Sequence, residues 1–192
     1  LKYANQFLVL DQSALIPACN ALGYGFYSYD TRHISQWDMY LDDMPLSLLS
    51  STIDDGYAGS FLYTNPQTDT LPQQKVTILR EVVLGDALYE RITFENFHHK
   101  PVGFVFKLRF QSDFADMFEV RGLNRPQRGD RMMPVASDDG SSLYLGYKGL
   151  DGALLETQIE FHQTHPDTIS DDCVLFKVNL PVRQKQTLEM RI

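Results

Sequence analysis

Val102-Gly103-Phe104-Val105-Phe106-Lys107-Leu108-Arg109-Phe110 puts Val102, Phe104, Phe106, Leu108 and Phe110 on one face, the period-two signature of a half-buried β-strand. Segments of the same kind precede it: Phe7 to Leu10, Gly25 to Tyr29, Ile34 to Leu41, Leu46 to Ile53, Ala58 to Thr64, Val76 to Leu84 and Leu88 to Glu95. Leu143 to Tyr147, Leu154 to Phe161, Val174 to Leu180 and Thr187 to Ile192 follow it. Turn signals such as Asp54-Asp55-Gly56, Asn65-Pro66, Gly85-Asp86, Asp138-Asp139-Gly140 and Asp151-Gly152 separate them. This rhythm predicts an all-β, antiparallel domain. About a dozen segments exceed the strands of an immunoglobulin-type sandwich, so the expected architecture is a large antiparallel two-sheet β-sandwich, supersandwich-like, with at most short helical turns.

A chain of 192 residues is long enough for one sizeable core, and we expect a single domain over residues 1–192. No apolar run approaches the roughly 20 residues that span a bilayer. The net charge of -8 argues against nucleic acid and anionic membrane as partners, because both are bound through excess Lys and Arg. With only Cys19 and Cys173, the chain does not read as a disulfide scaffold, and two buried thiols in a reducing cytoplasm are expected. A first residue other than Met, and a last segment that stops inside a strand-like run, suggest a piece of a longer polypeptide.

The richest chemistry follows the strong strand, in Asp113-Phe114-Ala115-Asp116-Met117-Phe118-Glu119-Val120-Arg121-Gly122. Phe114, Met117 and Phe118 are spaced to share one side of a single helical turn, with Asp113 placed as its N-cap. Asp113, Asp116 and Glu119 could supply the paired carboxyls that glycoside hydrolysis uses, one protonating the leaving oxygen and one acting as nucleophile or activating water. Spacing alone favours a structural role, with Asp113 capping the turn while Glu119 and Arg121 pair with neighbouring strands. A second polar corner, Asp30-Thr31-Arg32, lies between two strands, where Asp and Thr bond local backbone and Arg32 offers a planar fork for a carboxylate or sugar hydroxyls. A turn with an internal salt bridge would account for it. Asn124 to Arg131 is polar, basic and contains Pro and Gly, which reads as a long exposed loop.

His98-His99 and His162 with His165 lack partners at metal-ligand spacing, so no metal is expected. With no phosphate loop, nucleophile elbow or Cys-x-x-Cys, no cofactor is expected either. Tyr24, Tyr27, Tyr29, Trp37 and Tyr40 are close enough in sequence to form a sugar-stacking surface, although most sandwich aromatics are core.

Four stretches in order resemble the N-terminal domain of the bacterial and archaeal-type glycogen debranching enzymes, the amylo-α-1,6-glucosidase-like proteins. They are Gly25 to Ser35, Pro45 to Ser50, Leu88 to Asn96 and Asp113 to Gly122, of which Asp-Thr-Arg and Asp-Phe-Ala-Asp-Met-Phe-Glu-Val-Arg-Gly are the specific ones. The resemblance implies a non-catalytic β-sandwich ahead of a helical (α/α) toroid in the same polypeptide, with the glycosidase acids on the toroid and no catalytic residue in this domain. It implies that Asp30, Thr31, Arg32, Asp113, Asp116, Glu119 and Arg121 form a substrate-rim or interdomain contact, with the catalytic domain as partner and α-glucan as ligand. Leu41-Asp42-Asp43-Met44-Pro45 departs from the family's usual Leu-Asn-Gly before Pro-Leu, which puts that turn's geometry in question. A free-standing carbohydrate-binding module is the rival reading, and a self-sufficient hydrolase using Asp113 and Glu119 is a third.

Overall fold

The strand Val102–Gln111 runs through the middle of a five-stranded sheet in the computed structural model, which describes residues 1–18 and 22–192. Cys19 lies outside the described residues; Cys173 is half-buried, and burial pushes its thiol pKa up. On Val102–Gln111 the alternation operates as expected, with Val102, Phe104, Phe106, Leu108 and Phe110 all buried. Phe106 sits opposite Phe176 and Leu108 opposite Val174 on the neighbouring strand Cys173–Leu180. On its other side Leu108 meets Met39 and Phe110 meets Trp37 of Gln36–Leu41. Met44–Pro45 and Thr168–Ser170 close the sheet's two edges.

This apolar face covers a nine-stranded antiparallel sheet. From Leu154–His162 this sheet runs through Lys185–Arg191, Leu88–Asn96, Val76–Leu84 and Ala58–Thr64 to an edge at Ser47–Asp54. Ring contacts cross the gap: Phe94 meets Phe104 at 5.6 Å and Phe106 at 4.8 Å edge to face, and Phe161 meets Phe176 at 5.9 Å. Two inner faces interdigitating in this way make a β-sandwich. A smaller sheet of Lys2–Tyr3, Gln6–Val9, Gly25–Ser28 and Thr31–Ile34 joins it at one end, where His33 Nδ1 lies 3.0 Å from Thr157 Oγ1 of the large sheet.

Ile34 to Leu41 is not one strand. The chain breaks at Ser35, whose N–H donates to the Gln111 carbonyl, and passes from the small sheet to the five-stranded one. Asp42 and Asp43 both take left-handed φ, 47° and 63°, so Leu41 pairs with Met44 across a two-residue hairpin without glycine. The Asp42 carboxylate accepts the Val105 N–H at 2.8 Å, which anchors the turn.

One polar pair lies within the sandwich. Arg80 and Glu90 occupy inward positions of Val76–Leu84 and Leu88–Asn96, and their side chains are fully buried. Arg80 donates to both Glu90 oxygens, at 2.8 and 2.7 Å, and to the Ala14 carbonyl at 2.5 Å. Its guanidinium carbon stands 4.2 Å from the centre of the Trp37 ring. Burial works against the charge on Arg80, but the Glu90 carboxylate outweighs it and holds the guanidinium pKa above its ordinary value.

Candidate functional site

The two polar corners picked out in the sequence meet in space. Arg32, in the strand Thr31–Ile34, is almost fully buried and reaches Asp113, 81 residues away. Its Nε and Nη2 donate to the two Asp113 oxygens at 3.1 and 2.5 Å, and its Nη1 donates to the Tyr24 carbonyl at 3.3 Å. Burial again opposes the Arg32 charge, and Asp113 more than compensates, raising its pKa. The expected salt bridge internal to a turn is therefore corrected to a tertiary bond that ties the small sheet to the end of Val102–Gln111.

Backbone bonds reinforce this junction. The Arg32 N–H donates to the Ala115 carbonyl at 2.9 Å, and the Met117 N–H donates to the Asp30 carbonyl at 3.0 Å. Thr31 and Asp116 form an isolated antiparallel bridge. Between these anchors Phe114 adopts φ 47° and is buried, with His33 at 5.6 Å on one side and Tyr147 stacked at 5.7 Å on the other.

The helical turn begins later than the sequence reading placed it. Asp116, not Asp113, is the N-cap of Met117–Val120: its Oδ1 accepts the Phe118 and Glu119 N–H groups at 2.8 and 2.9 Å. Glu119 reciprocates by accepting the Asp116 N–H at 3.2 Å, completing a capping box. Asp113 is unavailable because its carboxylate is taken by Arg32, and the left-handed Phe114 interrupts any helix before Asp116. Phe114 consequently packs inward, while Phe118 is 65% exposed, so the expected shared apolar side does not form. Gly122, at φ 98°, ends the turn as its N–H reaches the Glu119 carbonyl and the Leu123 N–H reaches that of Phe118.

Two arginines that the sequence reading left in an exposed loop fold back onto the acids. Arg128 Nε lies 2.8 Å from Glu119, and its Nη2 donates to the Asp113 carbonyl at 2.7 Å. Arg125 pairs with Asp116 and reaches Glu119 at 3.7 Å. Glu119 thus pairs with this loop and not with a neighbouring strand. Arg121 pairs with nothing among the described residues and is exposed, which corrects its expected pairing as well. It stands at the rim of an open cleft of about 560 Å³ lined by Phe7, Val9, Leu22, Met117 and Val120.

Burial pushes the Asp116 carboxyl pKa up, but the Glu119 amide, Arg125 and the Phe118 amide together outweigh it and hold it below 3.8. A lowered folded pKa stabilises the fold above the unfolded value, and that contribution disappears as pH falls through the folded value. Asp116→Ala should therefore lose about 1 kcal/mol at neutral pH. Urea titrations of the two proteins should converge as the pH drops below 3.8.

Of the seven residues singled out in the sequence, Thr31, Arg32, Asp113, Asp116 and Glu119 bond across this corner, Asp30 joins through its carbonyl, and Arg121 lies at its edge, unpaired among the described residues. Both Asp113 oxygens face Arg32, and Glu119 is held by Arg128 and the Asp116 amide. The proposed aromatic surface is not assembled: Trp37 and Tyr27 are buried in the core, while Tyr29 is 71% exposed. Among the described residues no group of three His, Cys, Asp or Glu is placed to hold a metal ion. No helix of the described residues is long and apolar enough to cross a membrane.

No curated protein matches the chain. The family described as the N-terminal domain of (some) glycogen debranching enzymes matches residues 1–191. Its match runs through both polar corners, the sandwich strands and the final strand, and on that extent the chain belongs to this family of glycogen debranching enzyme N-terminal domains.

Proposed function

We propose that residues 1–192 are the non-catalytic sandwich domain of a cytoplasmic debranching enzyme of amylo-α-1,6-glucosidase type. In this reading the corner of Asp30, Thr31, Arg32, Asp113, Asp116, Glu119 and Arg121 packs on an (α/α) catalytic domain of the same polypeptide and borders its α-glucan cleft. One observation carries it: the corner is braced internally and unpartnered externally. Asp113, Asp116 and Glu119 are consumed by Arg32, Arg125 and Arg128, whereas Arg121 and the apolar side chains of Leu22, Tyr29, Phe118 and Leu123 are exposed. Exposed apolar groups gathered around an unpaired charge suit a surface that a second domain covers.

The test uses the full-length enzyme. Phe118→Asp with Arg121→Glu should raise KM for a branched maltodextrin and speed proteolysis between the domains, while leaving the Tm of the 192-residue chain unchanged. The 192-residue chain should itself release no glucose from branched maltodextrin. Hydrolysis that disappears on Asp113→Asn or Glu119→Gln would overturn the non-catalytic role, and tight glucan binding by the isolated chain would favour a carbohydrate-binding module.

A further inference from the structure

Among the described residues, all sheet edges but one are guarded. The five-stranded sheet ends in the two-residue Met44–Pro45 and the three-residue Thr168–Ser170. The small sheet ends in the two-residue Lys2–Tyr3 and in Thr31–Ile34, whose outer side is taken by Ala115 and Asp116. The nine-stranded sheet begins with the two-residue Asp130–Arg131, soon followed by Pro134. Its other edge is different. Ser47–Asp54 is eight residues long, is exposed at every position but Leu48, and pairs only with Ala58–Thr64.

Natural edges are protected by Lys, Pro, β-bulges, inward charges or short length. Ser47-Leu48-Leu49-Ser50-Ser51-Thr52-Ile53 has no charge and no proline, in a chain whose net charge is -8. A bulge-like register shift between Leu48 and Ser50 guards the start of the strand but leaves Ser50 to Asp54 as regular, unguarded ladder. We infer that this strand pairs with itself in a second copy of the chain, antiparallel about a twofold axis at Thr52, joining two nine-stranded sheets into one.

The side chains fit that register. Ser51 and Ile53 lie on the face that Phe61 occupies, bordering one cleft, and would stand opposite each other across the axis. Ser50 and Asp54 alternate to the other face, where the Ser50 hydroxyl of each copy would donate to the Asp54 carboxylate of the other. The two Asp54 side chains end up four positions apart, roughly 13 Å, farther than the Debye length of about 8–10 Å. Parallel pairing would set Asp54 against Asp54. An antiparallel contact is also isologous, so it closes as a dimer and cannot propagate. The edge is separate from the corner proposed to meet a catalytic domain, and either idea can fail without the other.

Light scattering of the 192-residue chain from micromolar to submillimolar concentration should show a monomer–dimer equilibrium. Thr52→Lys sets two charges face to face and should give monomer throughout, with an unchanged circular dichroism spectrum. Thr52→Cys places two thiols on the axis, with Cα atoms about 4.5–5.5 Å apart, inside the range a disulfide accepts. Mild oxidation should cross-link it well beyond the wild-type background from its own cysteines, and Ser60→Cys, on the neighbouring strand, should stay at that background. A wild-type chain monomeric at all concentrations, a dimer that survives Thr52→Lys, or Thr52→Cys no more cross-linked than wild type would each overturn the inference. A monomer that instead binds an extended segment of another polypeptide at this edge would overturn it too.

Discussion

Glu90→Ala should destabilise the fold by about 3–5 kcal/mol, the range seen when one partner of a buried ion pair is removed. Arg80 would keep its charge, because a guanidinium does not give up its proton, and would keep it in a site with no access to water. The Ala14 carbonyl and the rings of Trp37 and Phe61 would remain near it, none of them carrying a compensating charge. The pair as a whole is a different matter, since two charges in a core gain little over well-packed apolar groups of similar volume. Arg80→Met combined with Glu90→Leu should therefore recover most of the loss. Urea unfolding followed by fluorescence reads both effects, because Trp37 is the chain's one tryptophan and lies under the guanidinium. A single mutant within about 1 kcal/mol of wild type, no more than one ordinary hydrogen bond contributes, would mean the pair does not hold the two strands and the Ala14 segment together.

Arg32→Ala should cost about 2–3 kcal/mol, since it leaves the Asp113 carboxylate, 22% exposed, without its charged donors. Arg32→Lys should recover only part of this, because one ammonium cannot donate along both lines that the planar fork uses. Gly25→Ala should mimic the loss without touching either charge: a Cβ there would come within 2.6 Å of the Arg32 Cδ and 2.8 Å of the Ile34 carbonyl oxygen. Hydrogen exchange distinguishes a loosened corner from general destabilisation. The Arg32 and Met117 amides, bonded to Ala115 and Asp30, should lose protection before the core strands in all three variants. Equal loss across the whole sandwich would show that the corner is not a separate unit.

The sandwich was legible because burial on a pleated surface imposes period two, and Val102 to Phe110 displays it without interruption. The same alternation contained a warning about Arg80. Val76, Ile78, Val82 and Leu84 mark the inward face, so Arg80 had to point inward and needed a partner. The capping box was also readable, as Asp116 followed three residues later by Glu119. Asp113 looked like the cap because it immediately precedes Phe114, the first of three apolar residues spaced for one helical turn. What defeats such reading is pairing across long separations: no local pattern announces that Arg32 belongs to Asp113, or that Arg125 and Arg128 return to Asp116 and Glu119. Two- and three-residue strands such as Met44–Pro45 escape for a simpler reason, being too short to show a period.

Lys185–Arg191 has neighbours on both sides, Leu154–His162 and Leu88–Asn96, and so lies inside the large sheet although it follows all the sheet's other strands in sequence. During synthesis the strands from Ser47 to Asn96 can assemble with one another, but their sheet stays divided from the later hairpin until residues 185–191 emerge. Contacts this distant in sequence are slow to form, and the open flanks on either side of the gap are exposed while they wait. The final seven-residue strand acts as a keystone, and losing it would split the sheet through its middle instead of trimming an edge.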